Sequence, residues 1–176
     1  MPRVVLEAAA RLKSLPPYPF LELARMKREA LAAGRPLIDL GIGDPDVPTA
    51  PAVISAMSRA MRDPATHRYP LGNGNAAFRG AVARWFRGRF GVTLDPVREV
   101  CALIGSKEGI AHFPWAYVNP GERVLVPDPA YPVFATSTTL CGARPVVMPL
   151  VAGNAFLPDL EALSRKLRGG LRVKLM

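Results

Sequence analysis

Two cysteines and two histidines in 176 residues leave little material for metal or disulfide chemistry. Cys101 and Cys141 lack C-x-x-C spacing and sit in apolar surroundings, so both read as small buried hydrophobes, and zinc is not expected. His67 and His112 have no cysteine or carboxylate at ligand spacing and read as hydrogen-bonded or surface residues. No G-x-S-x-G elbow occurs, which leaves hydrolysis through an activated serine unsupported. Long apolar runs are missing too: none approaches the ~20 residues that span a bilayer, so no membrane helix is expected. Met1–Glu7 has no long apolar core of the signal-peptide kind, and a cytoplasmic address follows as the expectation.

Charge of one sign is not missing. Lys and Arg number 23 against 14 Asp and Glu, a formal charge of +9 with a pI near 10.3. The cations are spread from Arg3 to Lys174 without a basic block or interleaved aromatics, which argues against a nucleic-acid partner. Attraction of small anions is a milder reading, and a solvated basic surface is the plain one.

Along the chain, residues 1 to 19 form an arm whose Pro16-Pro17-Tyr18-Pro19 is too proline-rich for regular structure. Leu23, Met26, Ala30 and Leu31 space a helix over 20–33, stopped by Gly34 and Pro36. Leu37-Ile38-Asp39-Leu40 reads as a short strand running into Gly41-Ile42-Gly43-Asp44-Pro45-Asp46. Thr49 is placed to cap a helix with Pro51 in its first turn, and residues 62–75 read as loop. Phe78, Val82, Trp85 and Phe86 mark an amphipathic helix over 76–89, ended near Gly91.

After Pro96 the pattern changes to short apolar runs at 100–104, 123–127 and 145–150, separated by helical stretches near 107–118, 131–140 and 158–167. Apolar runs without alternation, set between helices, predict strands buried on both faces of a parallel sheet with crossover helices: an α/β fold. Pro114 should kink the first of these helices. Val173-Lys174-Leu175-Met176 resembles the opening of a further strand, and a truncated product or fragment is the expectation.

Three constellations could carry chemistry. Gly105-Ser106-Lys107 joins an apolar run to a helix, where free N–H groups and the helix dipole favour an anion. Gly105 allows close backbone approach, Ser106 adds a hydroxyl and Lys107 a charge; an ordinary well-capped turn explains the same residues. Asp128-Pro129-Ala130-Tyr131-Pro132 puts Tyr131 just past the next strand, on the same sheet edge, either to stack on a flat ligand or as a core tyrosine. Gly72-Asn73-Gly74-Asn75-Ala76-Ala77 matches the dinucleotide pattern G-x-G-x-x-A, with Asp95 as a nominal ribose acid. The preceding His67-Arg68-Tyr69-Pro70-Leu71 supplies no strand, so the pattern fails its context.

Read in order, Leu40-Gly41-Ile42-Gly43-Asp44-Pro45-Asp46, Tyr69-Pro70 with Gly74 and Phe78-Arg79, Gly105-Ser106-Lys107-Glu108-Gly109, Asn119-Pro120-Gly121-Glu122 and Asp128-Pro129-Ala130-Tyr131-Pro132 resemble the class I/II aminotransferases of fold type I. The wording is most similar to the LL-diaminopimelate type and its alanine- and aspartate-type relatives. The resemblance implies pyridoxal 5′-phosphate as cofactor, an amino acid and a 2-oxo acid as substrates (LL-diaminopimelate with 2-oxoglutarate favoured), and a homodimer, with no nucleic acid or membrane partner. It implies that Gly105, Ser106 and Lys107 cup the cofactor phosphate and that Tyr131 stacks on the ring. Tyr69 would reach the partner's cofactor phosphate, and Gly43 would admit the substrate carboxylate.

It divides the chain into an arm and small-domain helix (1–36), a segment leading into the large domain (37–95) and the first part of the cofactor-binding large domain (96–176). No S-x-x-K occurs, so the family's Schiff-base lysine has no counterpart here, and the 176 residues alone are expected not to transaminate. A carbon–sulfur lyase or a non-catalytic regulator on the same fold stays open at this point.

Overall fold

Prolines and glycines set most element boundaries. The computed structural model describes residues 7–41, 43–70 and 72–176; Met1–Leu6 of the arm, Ile42 of the Gly41-Ile42-Gly43 turn and Leu71 lie outside the described residues. Contacts divide the protein into two compact units, one from the N-terminal stretch to Arg25 with Ile104–Met176, the other Met26–Leu103. The arm contains a short helix α1, Ala10–Lys13, where none was expected: its proline run begins only at Pro16, and Ala-Arg-Leu-Lys are good helix formers. Helix α2, Pro19–Ala32, follows the expected spacing.

In the second unit, α3 covers Pro51–Met61 with proline at its first position, where a missing N–H costs nothing. Its N-cap is Ala50 and not Thr49. The residue before a proline is held extended, which puts Ala50 at the cap and leaves the Thr49 hydroxyl one position early. Helix α4, Ala76–Phe90, opens on Asn75, whose Oδ1 accepts from the N–H groups of Ala77 at 2.8 Å and Phe78 at 3.3 Å. It ends on left-handed Gly91.

Two expected strands do not form. Leu37–Leu40 is irregular, because Asp39 turns its carboxylate onto the Gly41 N–H at 3.0 Å and pairs with Lys27, a local bond that competes with any ladder. The run at 100–104 is likewise not a strand: the Ala102 N–H donates to the Asn73 carbonyl at 2.9 Å, and Asn73 Nδ2 donates to the carbonyls of Val97 and Val100. With its backbone engaged by a loop, Cys101 is exposed, not buried as expected.

The first unit carries the sheet. Strand β1, Arg123–Asp128, pairs in parallel with β2, Arg144–Pro149, with Val124 opposite Pro145 and Val126 opposite Val147. The crossover is helix α6, Val133–Leu140. On the other side of β1, Leu175 forms a parallel bridge to Val124, and its carbonyl accepts from the Leu125 N–H at 2.9 Å. Burial on both faces holds for β1, whose Val124, Leu125 and Val126 are 4–5% exposed; β2 is an edge, with Val147 half exposed. Val118, Val124, Val126 and Ala143 make the core, joined by Phe134, Cys141 and Leu175.

Helix α5, Ser106–Tyr117, accommodates a buried Pro114, whose carbonyl accepts from the Val118 N–H at 2.8 Å. Helix α7, Leu160–Arg168, starts at Asp159, whose Oδ1 accepts from the Ala162 N–H. Among the described residues no helix is long and apolar enough to cross a membrane.

Candidate functional site

Among the described residues no side chain caps the N-terminus of α5, which leaves its first N–H groups free for an acceptor. Its N-cap, Gly105, has φ 78° and ψ 158°, a conformation open in practice only to glycine. A Cβ built on Gly105 meets nothing within 4 Å, so the backbone edge is open. Ser106 and Lys107 are the first two helical residues. The acid of this turn, Glu108, folds its carboxylate back onto the Ile104 N–H, which directs it to the preceding loop.

Lys107 lies between two tyrosines of the same unit. Its Nζ is 5.1 Å from the centre of the Tyr131 ring and 5.5 Å from that of Tyr18, and it donates to the Tyr18 hydroxyl at 3.4 Å. Tyr131 first, and Tyr18 second, hold the lysine's pKa above its ordinary value. Tyr131 stands in the loop between β1 and α6, with its ring edge-on to Phe134 at 6.5 Å. A neighbouring cavity of about 280 Å³ is lined by Pro16, Tyr18, Asp128, Tyr131 and Thr136, so the proline-rich arm forms one of its walls.

The structure thus brings Lys107 and Tyr131 together, with Gly105 and Ser106 adjoining Lys107 along the chain. Tyr69 and Gly43 belong to the other unit, where Tyr69 is 95% exposed and Gly43 has open space around it. Sequence reasoning missed Tyr18. The available signal was its position between Pro17 and Pro19, where flanking prolines restrict the backbone that carries an aromatic ring. His67 bonds the Met61 carbonyl through Nε2 at 2.9 Å and His112 is exposed, the two roles expected of them. No strand precedes the Gly72–Ala77 pattern among the described residues.

The family model for aminotransferase class I and II matches residues 35–176. The chain belongs to the class I and II aminotransferases. An LL-diaminopimelate aminotransferase from Desulforudis audaxviator is 54% identical over 155 residues, covering 88% of this chain and 40% of the relative. A solved structure, a probable N-succinyldiaminopimelate aminotransferase from Thermus thermophilus, is 40% identical with a TM-score of 0.74, covering 81% of this chain and 38% of that one. An aspartate aminotransferase from Rhizobium meliloti reaches a TM-score of 0.84 over 97% of this chain and 41% of that one, and at 23% identity speaks for the fold alone. The chain therefore spans about 40% of the length of the curated relatives it matches. Its fold is that of the fold-type I enzymes, and class I and II aminotransferases depend on pyridoxal 5′-phosphate.

The residues present fit that group. A phosphate dianion needs converging donors and no carboxylate aimed at it, and the open glycine, uncapped first turn, serine hydroxyl and ammonium of this aminotransferase chain meet both conditions. A pyridine ring needs a flat apolar face, which the half-exposed Tyr131 offers beside the same lysine.

Proposed function

We propose that this chain supplies the phosphate cup and the ring-stacking face of a pyridoxal 5′-phosphate aminotransferase that moves an amino group between an amino acid and a 2-oxo acid. The observation that carries the reading is the convergence of the uncapped α5 N-terminus, Lys107 and Tyr131 in one unit. The Gly105 edge, the first-turn N–H groups and the Ser106 hydroxyl would hold the phosphate, Lys107 would add charge to it, and Tyr131 would lie against the ring. When bound, the cofactor supplies an electron sink for bond breaking at the amino-acid α-carbon. The favoured substrates are LL-diaminopimelate and 2-oxoglutarate, by similarity to relatives so named.

Gly43 would let backbone approach the substrate carboxylate, and Tyr69 would serve the cofactor phosphate of a second copy in a homodimer; its exposure supports such a reach. The divisions 1–36, 37–95 and 96–176 would be arm with small-domain helix, connecting segment and cofactor-binding region. The 176 residues contain no S-x-x-K, so by themselves they bind the cofactor without transferring amino groups.

Equilibrium dialysis of pyridoxal 5′-phosphate against the chain and its Ser106→Ala and Tyr131→Ala variants tests the cup, with pyridoxal as the phosphate-free control. Binding should exceed that of pyridoxal and fall about tenfold in each variant, the loss expected for one charge-assisted bond or one aromatic face. Parent-like affinity in both variants would refute the pocket's placement. Formation of glutamate from LL-diaminopimelate and 2-oxoglutarate by these residues alone would sink the claim that they do not transfer.

A further inference from the structure

The opposite ends of the same strands carry an unassigned cluster of cations. Arg123 and Arg144 are the first residues of β1 and β2 and stand in register. The bridge between Val124 and Leu175 sets Lys174 beside Arg123 on the other side, where the Lys174 N–H donates to the Arg123 carbonyl at 2.8 Å. Arg144, Arg123 and Lys174 therefore form a row across three neighbouring segments, spaced by roughly the 4.8 Å that separates strands. Arg172 lines the same open cleft of about 340 Å³, together with Gly121, Glu122 and Val173.

Like charges directly opposite one another in a sheet are destabilising, and this row places them so twice. The four cations are exposed, and the ion pairs among the described residues, such as Lys27–Asp39 and Arg165–Glu161, involve other groups. Among the described residues, the only acid lining the cleft is Glu122, whose Oε2 accepts from the Asn119 N–H at 2.7 Å and closes the turn before β1. Glu122 offsets only part of the charge of the four cations, and the remaining repulsion is relieved by an anion with several negative groups. Guanidinium forks suit phosphate and carboxylate oxygens in pairs.

We propose that this cleft is a binding site for a compact polyanion carrying two or more phosphate or carboxylate groups. It lies roughly 17 Å along β1 from the Asp128 end, shares no residue with the cofactor cup and goes beyond the aminotransferase reading. The basic character of the whole sequence acquires here a local form: cations aligned by strand register, which a count of charges does not reveal.

Isothermal titration of the chain with tripolyphosphate and, separately, with citrate at about 150 mM salt tests this under screening that suppresses diffuse surface attraction. One-site saturable binding of at least one probe is expected, and the preferred probe assigns the class as phosphate or carboxylate. Arg123→Gln and Arg144→Gln should each weaken it about tenfold or more, Arg144→Lys less, and Ser106→Ala not at all. Should the strand variants fail to fold by circular dichroism, Arg172→Gln, outside both strands, carries the same expectation. The proposal is overturned by the absence of saturable binding of either probe, by charge-removing variants that bind as the parent does, or by loss of binding in Ser106→Ala.

Discussion

Lys107 brings a single positive charge into a space bounded by Tyr131 and Tyr18, and that placement fixes its pH behaviour. Its pKa is raised in the folded chain, chiefly by Tyr131 and then by Tyr18. The stabilisation from these contacts is therefore complete below the ordinary lysine value and is lost as pH rises through the raised one. In a ¹³C-lysine NMR titration, Lys107 should titrate above the ordinary lysine value and move back toward it in Tyr131→Phe; an unraised value in the parent would contradict the contact. Ser106, Lys107 and Tyr131 could be marked as candidates in the sequence because each abuts a local signal, a glycine junction or a proline-flanked turn, while their proposed roles came from the family resemblance. Tyr18 was not, since its contact with Lys107 joins residues 89 positions apart. Cys101 was misread because its burial depended on a strand that did not form.

At the scale of elements, the helices beyond the four-residue α1 were readable and isolated strands were not. A helix satisfies its own backbone, so Asn75 and Gly91 suffice to mark both ends of α4. A strand depends on a neighbour: β1 and β2 have each other, whereas 100–104 gives backbone groups to Asn73, and 37–40 runs into a turn that Asp39 closes on the Gly41 N–H. The loop around Asn73 is correspondingly sensitive. Gly74 has φ 104°, and a Cβ there would sit 2.4 Å from the Ala102 Cβ. Gly74→Ala combines an unfavourable backbone conformation with a clash and should cost about 2–4 kcal/mol, seen as a lower urea midpoint. Exposed Gly88, inside α4 with nothing near its would-be Cβ, is the control: Gly88→Ala should stabilise by about 0.5–1 kcal/mol. Asn75→Ala, which removes the cap, should cost about 1 kcal/mol by the same measurement. If Gly74→Ala were as benign as Gly88→Ala, the loop would not be packed against Ala102 as described.

For the molecule as a whole, what stays uncovered matters as much as what is buried. The first unit's core rests on Val118, Val124, Val126 and Ala143, small side chains for a sheet flanked by helices. Meanwhile Phe113, Trp115 and Tyr117 on α5 are 49%, 59% and 59% exposed, with the Phe113 and Tyr117 rings 4.6 Å apart. Pro145 and Pro149 withhold donors along the β2 edge, which limits strand addition there, so association through side chains is the readier route. An exposed aromatic surface of this kind binds apolar probes. The chain should therefore enhance the fluorescence of anilinonaphthalene sulfonate under native conditions and elute earlier from gel filtration as its concentration rises. Phe113→Gln with Trp115→Gln should reduce both effects while leaving the unfolding free energy from urea titration within about 1 kcal/mol of the parent, because neither ring belongs to the core. A dye signal unchanged by that double substitution would place the accessible apolar surface elsewhere. A silent dye with constant elution volume would mean that these rings are covered in solution.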